Sequence, residues 1–191
     1  MFKTQITLQA RTALGALAPR EETIGALTLT ERVEFALASV SARQGREETC
    51  RSGLAELLGS VPGPGAAKLR QPETGFWIGT EAWMIIAPFD TREDLATELK
   101  TRFGDSASIT EQTDGWVLFD LAGDRIAAAM ELLCSVEIRR MPPGTAKRTV
   151  IDHLGCFVLR PGEGDLIRIL GPRSSADSLH HAVLTAMGAV A

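Results

Sequence analysis

The 191-residue sequence predicts an α+β fold in which helices cover antiparallel sheet. Three observations predict it. Short apolar runs with period-two alternation recur along the chain, as in strands with one buried face. Between them lie segments whose apolar residues fall at helical spacing and which end at a glycine. Blocks of the first half also reappear in the second half at a constant offset of 84 residues.

In order, residues 1–20 carry weak helical spacing at Ile6, Leu8, Leu14 and Leu17 and end at Pro19. They read as an arm or short helix, with the arm placed at 1–22. Between 24 and 40, Val33, Phe35 and Leu37 alternate with Glu34, Ala36 and Ala38, which predicts a strand with one buried face. In REETCRSGLAELL the acids come early and Leu54, Leu57 and Leu58 follow, predicting an amphipathic helix that ends at Gly59. VPGPG at 61–65 makes a rigid turn, because proline and glycine cannot continue a helix. The apolar run at 76–87 is broken at Gly79, Thr80 and Glu81, which predicts a tight hairpin ended by Pro88. Asp90 or Thr91 is expected to cap the helix REDLATELKTRF, which stops at Gly104.

Residues 107–122 read as a second hairpin around Thr113-Asp114-Gly115. Trp116, Leu118 and Asp120 would share one face, and Val117, Phe119 and Leu121 the other. Gly123 leads into the helix DRIAAAMELL. Strands follow at 145–151 and 155–160 around Asp152-His153, then the turn PGEG and a returning strand at 166–170, closed by Gly171-Pro172. Ser174 or Ser175 is expected to cap a last helix running to about Met187.

The offset of 84 sets Val33, Phe35 and Leu37 on Val117, Phe119 and Leu121. It sets Ile85 and Pro88 on Ile169 and Pro172, and Leu95 and Leu99 on Leu179 and Val183. Each unit, 23–105 and 106–191, then reads strand, helix, hairpin, helix, the ingredients of a ferredoxin-like α/β sandwich. The two units would form one compact domain.

A chain this long buries a sizeable core without metal or disulfide staples. Its net charge is −4, and residues 1–95 and 96–191 each hold 10 basic and 12 acidic side chains. Neither half is a polycation, which argues against a nucleic-acid partner. Cys50, Cys134 and Cys156 are odd in number and widely spaced, so they read as thiols in a reducing compartment rather than as a disulfide framework. No apolar run reaches the length of a membrane span, and the first residues lack the apolar core of a signal peptide. A cytoplasmic protein is expected.

Catalytic signals are sparse. His153 follows Asp152, but neighbours on a strand point to opposite faces, so the aspartate does not orient it. His180 and His181 are adjacent on a helix, whereas two metal ligands there need a spacing of three or four. There is no phosphate loop and no nucleophile elbow. Arg139, Arg140, Lys147 and Arg148 form a basic cluster able to take an anion or an acidic surface, or simply a solvated rim. Arg173-Ser174 falls where a strand gives way to a helix, which suits an anion or a cap. Trp77, Trp83 and Trp116 read as core, with an interface as second choice.

Three blocks carry a resemblance: DGWVLFDLAGDRIAAAMELLCSVEI, MPPGTAKRTVIDHLGCFVLR and DLIRILGPRSSADSLHHAV. With GTEAWMIIAP at 79–88, they resemble the gamma subunit of bacterial heterotetrameric sarcosine oxidase over roughly residues 75–185. The resemblance implies a non-catalytic chain of an oxidoreductase complex that oxidises sarcosine to glycine with oxygen, giving hydrogen peroxide and passing a one-carbon unit to tetrahydrofolate. It implies alpha, beta and delta subunits as partners, and places FAD, FMN, NAD, zinc and tetrahydrofolate in those subunits. It also implies a fold similar to the folate-binding part of the glycine-cleavage T-protein, an aminomethyltransferase. Arg173, Ser174, His153, Arg160 and Trp83 are the binding or interface candidates, and no catalytic residue is assigned. The competing expectations are an independent folate-binding one-carbon protein, with Asp120 or Glu131 facing the pterin, and a small homo-oligomeric module in which Arg173 takes an anion.

Overall fold

The computed structural model describes residues 8–69 and 72–191. Strands β1 (Glu21–Ile24), β2 (Leu27–Arg32) and β3 (Phe35–Ala42) lead into helix α1 (Glu47–Leu58). Strands β4 (Ala67–Leu69), β5 (Thr74–Gly79) and β6 (Ala82–Pro88) precede α2 (Leu95–Phe103). Then come β7 (Ala107–Glu111), β8 (Trp116–Gly123) and α3 (Ile126–Leu133). Strands β9 (Thr145–Ile151), β10 (Leu154–Arg160) and β11 (Leu166–Pro172) lead into α4 (Ala176–Val190).

The strands form two antiparallel sheets, ordered β4-β5-β6-β3-β7 and β1-β2-β8-β11-β10-β9. Helix α1 packs Cys50, Leu54, Leu57 and Leu58, and α2 packs Leu95, Leu99 and Phe103, on the outer face of the first sheet. Helices α3 and α4 cover the outer face of the second through Ile126, Met130, Leu179 and Val183. The inner faces meet through Leu37, Phe76, Met84 and Ile86 on one side and Leu118, Phe157, Leu159 and Leu170 on the other. Phe76 and Phe157 form an edge-on pair with centroids 5.3 Å apart, an arrangement that adds roughly 0.5–1.5 kcal/mol beyond area burial. The result is four layers, helix, sheet, sheet, helix. Backbone bonds from Ala67 to Gly144 (2.7 Å) and from Ala146 to Gly65 (3.1 Å) tie the two sheets at one edge.

This layering overturns the expectation that the strand around residue 35 has one buried face. On β3, Ala36, Ala38 and Val40 face the helices while Leu37 faces the other sheet, so both phases are apolar. Val33 lies outside the strand and is exposed. The predicted hairpin over 107–122 does not form. β7 pairs with β3 in the first sheet, while β8 pairs with β2 and β11 in the second. The turn at Thr113–Gly115 carries the chain between sheets, and its Thr113 hydroxyl accepts from Leu37 N at 3.0 Å. The expected face assignment within β8 is observed: Val117, Phe119 and Leu121 lie under the helices, and Leu118 lies between the sheets.

The sheets also divide the chain differently from a boundary at 105/106. β1 and β2 join the second sheet, and β7 joins the first. The position beside β8 that β7 holds beside β3 is filled by β2, from the far end of the sequence. The offset of 84 holds for β6–α2 against β11–α4, where Ile85 and Ile169 both face helices and Leu95 matches Leu179. It fails for the first strand of each unit. Phe35 packs between the sheets whereas Phe119 faces helices, so an odd offset is needed there.

The helix caps differ as well. The residue before α2 is Asp94 and that before α4 is Ser175, and neither makes a side-chain cap bond. Asp90 and Thr91 precede a turn instead, and Ser174 lies in a 3-10 turn. Gly59 ends α1 in the left-handed region at φ 81°, as expected. Gly123 has φ +125°, and a Cβ there would lie 2.0 Å from the Ala26 carbonyl oxygen. Residues 8–20 form no helix; Leu14 is buried, Leu8 and Leu17 are exposed, and Ile6 lies outside the described residues. No described helix is long and apolar enough to cross a membrane.

Candidate functional site

β11 ends at Pro172, whose fixed φ stops the ladder and turns Arg173 toward the mouth between the two sheets. There the Arg173 guanidinium donates to the Arg11 carbonyl at 3.1 Å and lies 3.8 Å from Asp114. Ser174 beside it is exposed. A cleft of about 330 Å³ opens next to Arg173, lined by Leu17, Val33, Phe35, Phe89 and Trp116 among others. Leu17, Val33 and Phe89 expose 62%, 46% and 37% of their surface, so three large apolar side chains face solvent around one opening.

One wall of the cleft is held by ions. Asp120 is 3% exposed on the inner face of β8. Arg168, directly across the ladder, gives it two bonds, Nε at 2.7 Å and Nη2 at 2.8 Å. Arg32 reaches the same carboxylate from β2 and also pairs with Glu34. The Phe35 ring lies under both guanidiniums, 4.3 Å from Arg168 and 5.5 Å from Arg32. Burial pushes the Glu34 carboxyl up, but bonds from Arg32 and the backbone outweigh it and hold its pKa below the usual carboxylate value.

A second buried acid fixes the N-terminal segment. Glu31 lies on the same strand phase as Leu27 and Leu29 and is buried with them. Its carboxylate accepts from Leu14 N and Arg20 N, each at 3.2 Å, and its own amide donates to the Arg20 carbonyl at 2.8 Å. Residues 11–20 are thereby strapped across the cleft mouth. The signal was present in the sequence, because a charged residue on the apolar phase of a strand must be paired.

The remaining candidates are dispersed. His153 is exposed at the tip of the β9–β10 hairpin, where Asp152 and His153 take φ values of 46° and 65°, as a two-residue turn demands. Arg160 bonds the carbonyls of Met141 (3.0 Å) and Gly164 (3.2 Å), joining two loops. Trp83 is 3% exposed and donates to the Pro62 carbonyl at 2.8 Å, so it anchors the VPGPG turn rather than facing outward. His180 is buried in α4, 3.4 Å from Glu22, and His181 is exposed. Glu131 pairs with Arg139 at 2.8 Å on the surface. All three cysteines are free thiols, and burial pushes Cys50 and Cys156 up to about 11. Among the described residues no group of three or more His, Cys, Asp or Glu side chains could hold a metal ion.

No protein-family model and no curated protein matches the sequence. Solved structures do match. One chain of a heterotetrameric sarcosine oxidase from Corynebacterium sp. U-96, in complex with pyrrole 2-carboxylate, is similar at 20% identity, with 88% of each chain covered and a TM-score of 0.73. The glycine cleavage system aminomethyltransferase T from Bartonella henselae is similar at 16% identity and a TM-score of 0.62. The match covers 83% of this chain and 45% of that one. The likeness is one of fold: an α+β sandwich of two antiparallel sheets flanked by helices.

Proposed function

We propose that this chain is the non-catalytic gamma subunit of a heterotetrameric sarcosine oxidase, working in the cytoplasm with alpha, beta and delta chains. Those partners hold the FAD, FMN, NAD, zinc and tetrahydrofolate. The observation that carries the reading is the end-to-end match to a chain of such an enzyme, 88% of both lengths. The sequence blocks at 114–183 point to the same family. Three of the five binding or interface candidates are engaged within the fold itself. Arg173, Arg160 and Trp83 donate to backbone carbonyls within the fold. We also read the two α/β units as copies of one ferredoxin-like ancestor, the second completed by β2.

The alternative, an independent folate-binding protein of the T-protein type, needs a carboxylate free to face a pterin. Asp120 is filled on both oxygens by Arg168 and Arg32, and Glu131 pairs with Arg139. The test is co-expression with the chains encoded beside this one, followed by titration of the isolated chain with a reduced folate. Co-purification with flavin-bearing chains, and no folate binding by the lone chain, is the expected result. A lone chain that binds reduced folate at micromolar concentration, or that never associates, overturns the proposal.

A further inference from the structure

The outer edge of β9 is the place where charge and unpaired backbone coincide. In this chain of net charge −4, residues 135–148 hold four basic side chains against one acidic. The fold turns this stretch around one groove of about 490 Å³, lined by Val136, Arg140, Met141, Thr145, Lys147 and Arg148 among others. Arg140 is paired with Glu137 at 3.2 Å, and Arg139, outside the groove, with Glu131. Lys147 and Arg148 are exposed, and no acidic partner reaches them among the described residues.

Backbone groups complete the feature. β9 is the last strand of its sheet and, among the described residues, pairs with β10 on one side and meets the single bridge of Ala66 to Thr145 on the other. The Ala146 amide points away from β10, to the Gly65 carbonyl at 3.1 Å. Alternate residues of an antiparallel pair face the same way. The amides and carbonyls of Arg148 and Val150 therefore also point outward, beyond the place where the bridge of Ala66 to Thr145 ends. Val150 is one of the few large apolar side chains left exposed.

We infer that the outer edge of β9 is a docking site for an extended acidic segment of a partner chain. The segment adds a strand on Arg148 and Val150, with carboxylates on both of its faces, one toward Lys147 and the rim at Arg140 and one toward Arg148, because neighbours on a strand point to opposite faces. Strand addition takes affinity from main-chain bonds and selectivity from alternate side chains. The same cations would repel a second copy of this edge, which favours an acidic partner over self-pairing. A compact anion fits less well, because the free cations lie along an extended strand edge and the short 3-10 turn that begins in the groove carries the Glu137 carboxylate at its start. The inference rests on the subunit reading above.

The test uses the whole chain and a fluorescent peptide of about ten residues repeating Glu-Glu-Val-Val, which sets carboxylates on both faces of an extended strand, with a Lys-Lys-Val-Val peptide as the Lys/Val control. Saturable binding of the acidic peptide is expected, weakened by salt. It should protect the Arg148 and Val150 amides from hydrogen exchange and fall about tenfold or more in Lys147→Glu/Arg148→Glu. No saturable binding, equal binding of the Lys/Val peptide, unprotected amides, or unchanged affinity in the double variant each overturns it. Co-purification separates the two proposals. A double variant recovered with the larger chains at wild-type yield leaves the subunit reading standing and overturns this one. A wild-type chain that recovers none removes the subunit reading itself.

Discussion

Replacing Asp120 by alanine should destabilise the fold by about 3 kcal/mol. The carboxylate is 3% exposed and accepts two bonds from Arg168 and one from Arg32. Its removal leaves the largely buried Arg168 guanidinium without a counter-charge, and breaking a buried pair in this way costs about 3–5 kcal/mol. Arg32 is the more exposed of the two and regains solvent and Glu34, so the low end of that range applies. For a chain of 191 residues the unfolding entropy near the midpoint is about 0.4 kcal/mol per degree. A loss of about 3 kcal/mol then lowers Tm by about 7 °C. Urea unfolding at constant m measures the free energy, and thermal unfolding checks it. If the cost arises from an unpaired charge, Asp120→Ala/Arg168→Leu should recover about 1 kcal/mol or more relative to Asp120→Ala. A single-variant loss under about 1 kcal/mol, the range of an exposed ion pair, refutes the reasoning. So does a double variant no better than the single one.

Gly123→Ala should cost about 2 kcal/mol or more, because its φ is positive and a Cβ meets the Ala26 carbonyl oxygen at 2.0 Å; urea unfolding reads the loss. Glu31→Ala should leave the amides of Leu14 and Arg20 without their acceptor, lower stability by about 1–3 kcal/mol, and open residues 8–20 to limited proteolysis. Buried Cys50 and Cys156 should resist thiol reagents at pH 8 in the native protein while half-buried Cys134 reacts first. Both buried thiols are raised from 9.0 to about 11, so the fold favours their neutral form. Their contribution to stability is full below pH 9 and is lost as pH rises from 9 through about 11, which urea midpoints across that window will show.

Local pattern in the sequence carried much of the fold. Alternation and glycine stops placed β5, β6, β8, α1 and the β9–β10 turn correctly, because these depend on residues within one element. Pairing did not follow from pattern. β7 and β8 are neighbours joined by a Thr-Asp-Gly turn, the signature of a hairpin, yet they lie in different sheets. The turn instead bridges layers through bonds to Leu37 at both its amide and its carbonyl, a partner 75 and 76 residues away. β3 misled in another way. A strand sandwiched between helices and a second sheet is apolar on both phases, so its alternation carries no information about which face is inner. The even offset of 84 therefore matched residues by type while exchanging their faces.

The candidate site was less legible, for a reason the arginines make plain. From sequence, Arg173 at a strand-to-helix junction suits an anion or a cap, and Arg160 is a binding or interface candidate through the resemblance alone. In the fold both donate to backbone carbonyls of irregular segments, Arg173 to Arg11 and Arg160 to Met141 and Gly164. Those segments lack ladder partners of their own, and a planar guanidinium supplies several donors at once. An arginine at an element's end is thus as much a staple for a loop as a receptor for a ligand, and only the position of the loop decides between them. Lys147 and Arg148 differ because the strand that carries them is paired along one side by β10, and no acidic group among the described residues pairs with them on the other. Their freedom is a property of topology, the placing of β9 last in its sheet, which the sequence could not show.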